Sequence, residues 1–201
     1  AGAKPRMPKD EAAATDTTHR DSVKVDTVKT KPGIDSPVEY QAADSMVYDA
    51  ASGLAYLYGK AQVNYQNMQL TAAKISMNMD SSMVHAEARA DSTVEGGLDG
   101  RPQYTQGTDQ YDSERMSFNF KTKKGYILNV NTKQGDGFMT SERSKRAADG
   151  TLYLEKGRYT TCDAKHPHFY LALSRAKVRP GKDVVFGPAH LVVEDVPLPL
   201  A

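Results

Sequence analysis

One seven-residue pattern recurs along this chain and restricts what it can fold into. Ala43-Asp44-Ser45-Met46-Val47-Tyr48-Asp49 aligns with Ala72-Ala73-Lys74-Ile75-Ser76-Met77-Asn78 and with Ser113-Glu114-Arg115-Met116-Ser117-Phe118-Asn119. A looser copy is Leu173-Ser174-Arg175-Ala176-Lys177-Val178-Arg179. The shared apolar-any-apolar centre is the period of a strand with one buried face, because successive side chains point to opposite sides. Polar turns such as Ala50-Ala51-Ser52-Gly53, Lys121-Thr122-Lys123-Lys124-Gly125 and Pro180-Gly181-Lys182 interrupt the pattern. A second strand is predicted after each copy, at Leu54–Gly59, Met83–Ala88, Tyr126–Val130 and Val184–Leu191. Hairpins repeated with the same facing stack into one sheet with a continuous apolar side. No apolar period of 3.6 residues persists over three turns, and glycines recur too often for long helices. The expected class is all-β, an open stack of antiparallel hairpins.

The 201 residues (22.0 kDa) suit one domain with a tail. All 11 tyrosines and 5 phenylalanines lie at or after Tyr40. Residues 1–35 carry many charges and few sizeable apolar groups, so they cannot offset ordering costs of about 1–2 kcal/mol per residue. They are expected to form a flexible tail, with 36–201 as the β domain. Within the tail, Ser22-Val23-Lys24-Val25-Asp26 alternates like a strand and could pair onto a sheet edge. A net charge of +1 argues against nucleic acid as the main partner. No stretch approaches 18 uncharged apolar residues, which excludes a membrane-spanning helix. Any export signal is expected to be gone already, since no apolar run follows Ala1.

Few residues suggest chemistry. Cys162 is the only cysteine, so an internal disulfide and multi-cysteine zinc sites are excluded. Cys162, Asp163, His166 and His168 have metal-capable side chains, but Pro167 and the surrounding residues read as a turn between strands. His19, His85 and His190 are isolated, and Asp49, Asp80 and Asp91 follow strand ends where turn chemistry explains them. There is no phosphate-binding Gly-Lys-Ser/Thr and no G-x-G-x-x-G. The chain is read as non-enzymatic, with no metal or cofactor. The basic stretch Glu142-Arg143-Ser144-Lys145-Arg146 reads as a solvated loop.

A stack of hairpins that does not close leaves unpaired backbone groups at its end strands, which invite pairing with another chain. Its inner face forms an apolar trough, with Met46, Tyr48, Ile75, Met77, Met116, Phe118, Ala176 and Val178 as candidate lining residues. The same residues could equally be ordinary core. Some runs are apolar on both faces, so the facing is open to a one-residue slip.

Three stretches resemble a known family: the Ala43–Asp49 unit, Gly157-Arg158-Tyr159-Thr160-Thr161-Cys162-Asp163, and Phe186-Gly187-Pro188-Ala189-His190-Leu191 leading into Val196-Pro197-Leu198-Pro199-Leu200. Together they resemble the periplasmic, OstA-like N-terminal domain of LptD, the lipopolysaccharide-assembly outer-membrane protein, in its Bacteroides-type branch. The likeness covers roughly 36–201, and its repeat unit is shared with the soluble bridge protein LptA. It implies a twisted β-jelly roll, open along one side, whose apolar lining shields lipid A acyl chains. It further implies edge-strand pairing to an LptA-like bridge protein and a location on the periplasmic side of the outer membrane of a Gram-negative bacterium. Lipid would pass to a C-terminal β-barrel assisted by an LptE-like lipoprotein, and this chain is expected to stop short of that barrel. Cys162 would form a disulfide with a barrel cysteine, the other reading being a free thiol. In that setting Glu142–Arg146 could touch lipid phosphates at the rim, and a charge placed at Phe118 is expected to hinder lipid transit while sparing the strands. The alternatives are a soluble LptA-like bridge protein, or a repetitive β adhesin or carbohydrate-binding envelope domain.

Overall fold

The computed structural model describes residues 26–28, 36–134, 136–164 and 166–198. Most of the expected tail, including Ser22–Val25, lies outside the described residues. In chain order the strands are β1 (Asp26–Val28), β2 (Val38–Gln41), β3 (Ser45–Asp49), β4 (Leu54–Tyr65), β5 (Met68–Asn78) and β6 (Met83–Glu87). A small excursion follows, with β7 (Arg89–Ala90) and β8 (Leu98–Asp99). Next come β9 (Gln103–Gln106), β10 (Asp109–Asp112), β11 (Arg115–Asn119), β12 (Lys124–Gln134), β13 (Gly137–Arg146) and β14 (Leu152–Thr160). The chain ends with β15 (Phe169–Arg179), β16 (Asp183–Phe186), β17 (Ala189–Val193) and β18 (Val196–Pro197). Every pairing is antiparallel, and no helix occurs among the described residues.

The fold is an open, twisted roll of stacked hairpins, all-β as the repeats predict. The long strands β4, β5, β12, β13, β14 and β15 each take part in two layers. One half of β4 pairs with β3 and the other with β2; β5 pairs with β6 and β9, β12 with β11 and β10, and β15 with β16 and β17. The upper layer therefore runs β3-β4-β5-β6-β11-β12-β13-β14-β15-β16. The lower layer runs β1-β2-β4-β5-β9-β10-β12-β13-β14-β15-β17-β18.

What folds each long strand across both layers is an interruption at its middle. In β4 the register shifts between Tyr58 and Ala61, where Gly59 and Lys60 both have positive φ. In β12 and β14 the interruptions are Asn129 (φ 50) and Lys156 (φ 53). A one-residue slip in a flat strand would turn the following side chains outward. A bulge re-aims them instead. Buried positions accordingly run Met68, Leu70, Ala72, then Ile75, Met77 in β5, and Leu173, then Ala176, Val178 in β15. The two inward sets meet as one apolar core.

Three sequence expectations change. Val184–Leu191 is not one strand: it breaks at Gly187-Pro188 into β16 and β17, which pair with opposite halves of β15. The backbone hydrogen bonds Gly187 N–H to Arg175 O (2.9 Å) and Ser174 N–H to Pro188 O (3.1 Å) fix this corner. Glu142–Arg146 is not a solvated loop but part of β13, with Ser144 and Arg146 buried. Asp26–Val28, inside the expected tail, pairs with β2.

The excursion through β7 and β8 is pinned where Gly100 meets the middle of β5. Ala73 N–H donates to Gly100 O at 2.8 Å, and a Cβ on Gly100 (φ 58) would lie 2.7 Å from Ala73 Cβ and 2.9 Å from its backbone nitrogen. Gly100→Ala is therefore expected to lower unfolding stability by about 1–3 kcal/mol through strain and a backbone clash. Gly107→Ala, at φ 60 with open space around it, should cost clearly less. Urea midpoints of the two variants check the contrast.

Candidate functional site

The sequence-predicted trough residues separate by position in the stack. Ile75, Met77, Met116, Phe118, Ala176 and Val178 lie together in the buried core between the layers. Met46 and Tyr48 sit on the end strand β3, opposite Leu57 and Ala55, and so face the same side as the core. With nothing covering that end they are 39% and 62% exposed.

In the middle of the stack the gap between the layers is filled. Tyr65 of the lower layer packs against Phe120 beyond β11 with ring centroids 4.9 Å apart, and Tyr104 packs against Phe118 at 5.9 Å. Phe118 also meets Phe120 edge-on at 5.8 Å. An aspartate at Phe118 would remove a ring from this cluster, and although the Arg146 guanidinium lies 5.8 Å from that ring and would offset part of the charge cost, the lost packing remains. The expectation that a Phe118 charge spares the strands therefore gives way to one of general destabilisation.

The layers part at the C-terminal end. There a cleft of about 370 Å³ opens between Met139, Tyr159, Leu171 and Leu173 below and Val184 and Phe186 above. Val184 pairs with Val178 and Phe186 with Ala176, so both continue inward rows of the core onto an uncovered strand. They are 36% and 49% exposed, while Val185 between them faces out. At the rim Arg179 forms a bidentate pair with Asp183 beside Lys182. The hydrogen bonds from Arg179 hold the Asp183 carboxyl below the usual carboxylate range. The repeats single out Ala176 and Val178 but miss the cleft walls. The alternation Val184-x-Phe186 is the available signal, masked when 184–191 is read as one uninterrupted strand.

Cys162 is a free thiol in the connection between β14 and β15, its Sγ 3.6 Å from His168 Nδ1. Backbone N–H groups of His168 and Ala164, together with the His168 ring, hold the Cys162 thiol below its ordinary pKa. Cys162 and Glu194 raise that of His168. His166 instead reaches Asp195, Nε2 to Oδ2 3.5 Å. No group of three His, Cys, Asp or Glu side chains able to hold a metal occurs among the described residues. His85 Nδ1 lies 2.8 Å from Ser117 Oγ on an exposed outer face.

No protein-family model matches the chain, and no curated protein matches it. Among solved structures it is similar to LptH, described as the LptA homologous periplasmic component of the conserved lipopolysaccharide transport device from Pseudomonas aeruginosa. That likeness has 16% identity and a TM-score of 0.49, covering 78% of this chain and 99% of LptH.

A depressed thiol pKa raises the thiolate fraction at neutral pH. Cys162 is expected to react with iodoacetamide with a pH midpoint below that of free cysteine. In His168→Ala the backbone donors remain, so the midpoint should rise only part of the way back. Alkylation rates from pH 6 to 10, followed by intact-mass spectrometry, check both. Phe186→Asp, at the open end, should leave the unfolding free energy within about 0.5 kcal/mol of the parent, whereas Phe118→Asp should lose about 3 kcal/mol or more through the ring removed from the core.

Proposed function

We propose that this chain is a non-enzymatic lipid-transport module. It takes up lipopolysaccharide acyl chains between its two layers and passes them along to the next component of an envelope-spanning path. The single observation that carries this reading is the apolar inward row of the core emerging uncovered at the cleft between Leu171 and Phe186. Buried methylenes contribute about 0.8 kcal/mol each, so several acyl chains could be held without any polar catalytic group. Repeated hairpins present similar apolar surfaces in succession, which lets a chain shift between near-equivalent positions at little net cost.

The finer placement follows the sequence resemblance. The module acts on the periplasmic side of the outer membrane, receives lipid from an LptA-like bridge protein by edge-strand pairing, and hands it to a β-barrel assisted by an LptE-like lipoprotein. The exposed end strands β3 and β16 are the surfaces that suit such pairing. On this reading Cys162, accessible and near the end of the roll, bonds a cysteine outside the 201 residues. The bridge-protein reading shares the cargo and the edges and differs only in lacking the barrel.

A photo-crosslinking residue at Phe186 or Leu171 should label lipopolysaccharide, while the same residue at Val185, on the opposite face, should not. Equal labelling at Val185 and Phe186, or labelling of soluble glycans alone, would reject lipid carriage through the interior.

A further inference from the structure

Arg146 is the only charged side chain among the buried described residues, 8% exposed, and no carboxylate among the described residues forms an ion pair with it. Its guanidinium lies against the rings of both Tyr104 and Phe118, 5.4 and 5.8 Å from their centroids. Nη1 donates to Lys123 O at 3.1 Å and Nη2 to Gln106 Oε1 at 2.6 Å, an oxygen that also accepts from Tyr104 Oη at 2.7 Å. Nε is buried without a partner, as is Ser144 Oγ. A buried charge is ordinarily paired, because desolvating it alone is costly. Here neutral acceptors and ring faces contact the guanidinium directly, while the Asp109 carboxylate stands in the same cluster beside Tyr104 and Tyr111 without pairing with it.

The place of Arg146 in the sheet matters as much as its surroundings. The inward row of the upper layer runs Gly125, Arg146, Leu152, Val178, Val184 across consecutive strands. Three strand spacings, about 14 Å, therefore separate Arg146 from the cleft wall at Val184. Arg146 also lies at the tips of the layers: Lys123 and Gly150 are turn residues, and a Cβ on Gly150 would sit 3.7 Å from Nη2. It is thus a cation at the border between the apolar interior and water, at the distance along the row that a long acyl chain lying inside would span.

We propose that Arg146 is the ligand for a phosphate on the headgroup of the carried lipid. As acyl chains enter and the layer tips separate, the guanidinium exchanges Gln106 Oε1 for phosphate oxygens, which accept from Nε and Nη2 together. The contact makes the interior selective for phosphate-bearing acylated lipids. This inference rests on the lipid-carriage reading above.

The test measures binding of diphosphoryl lipid A, of the same lipid stripped of phosphate, and of inorganic phosphate to the full chain. The wild type should favour the phosphorylated lipid by about tenfold, the scale of one charge-assisted contact. Arg146→Met should bring that ratio near one while still binding the stripped lipid, and Arg146→Lys should keep part of the preference. Gln106→Ala, which frees the guanidinium, should raise the ratio and keeps the proposal testable if Arg146→Met fails to fold. An unchanged ratio in Arg146→Met or Gln106→Ala overturns the assignment. Tight binding of inorganic phosphate alone would mark a free-anion site and also overturn it. If the wild type binds both lipids equally, the phosphate role falls while lipid carriage stands. If it binds neither, both fall.

Discussion

The architecture depends on the place where each long strand stops being a regular strand. A β-ribbon of 9 to 12 residues with strict alternation would bury one side of a single flat layer and expose the rest. The bulges at Gly59-Lys60, Asn129 and Lys156, with the matching register gaps in β5, β13 and β15, turn each strand back over itself while keeping apolar groups inward. Two layers then arise from one continuous hydrogen-bonded sheet. Their facing apolar rows supply the hydrophobic stabilisation that neither layer could obtain alone.

The same construction explains why the interior is sealed in the middle and open at an end. Mid-stack, the aromatic residues Tyr65, Tyr104, Phe118 and Phe120 come from both layers and fill the gap. At β16 the upper layer ends with Val184 and Phe186, and the lower layer turns away through β17 and β18. There Tyr159 and Phe186 line the gap without filling it, and the packed core becomes a cleft.

Much of this is legible in the residues. Copies at 43–49, 72–78, 113–119 and 173–179 mark strand β3, the end of β5, β11 and the end of β15; the first three are followed by the hairpin partner expected, and the fourth by only the first part of it, β16. Alternation also offers Ile75, Met77, Phe118 and Val178 as one inward set, with a one-residue slip left open that the packed core resolves. The layer-to-layer fold does not, because a bulge appears in sequence as a broken period, as in Leu70-Thr71-Ala72-Ala73-Lys74-Ile75, and a broken period reads as a strand end. The burial of Arg146 escapes sequence reasoning for a related reason. Four polar or charged residues in Glu142–Lys145 suggest solvent, yet past the interruption at Glu142-Arg143 the alternation resumes and sends Ser144 and Arg146 inward. The cleft walls are hidden because Gly187-Pro188 divides what looks like one apolar run.

Because the long central strands run through both layers, neither layer can keep them whole if the other is lost. Melting the lower half of β5 or β12 would strip hydrogen-bond partners from neighbours on both sides while uncovering the core beneath the upper half. The slowest-exchanging amide protons of the two layers should therefore share one opening event, and the roll should come apart as a single cooperative body, with only the end strands β1, β3, β16 and β18 free to fray on their own.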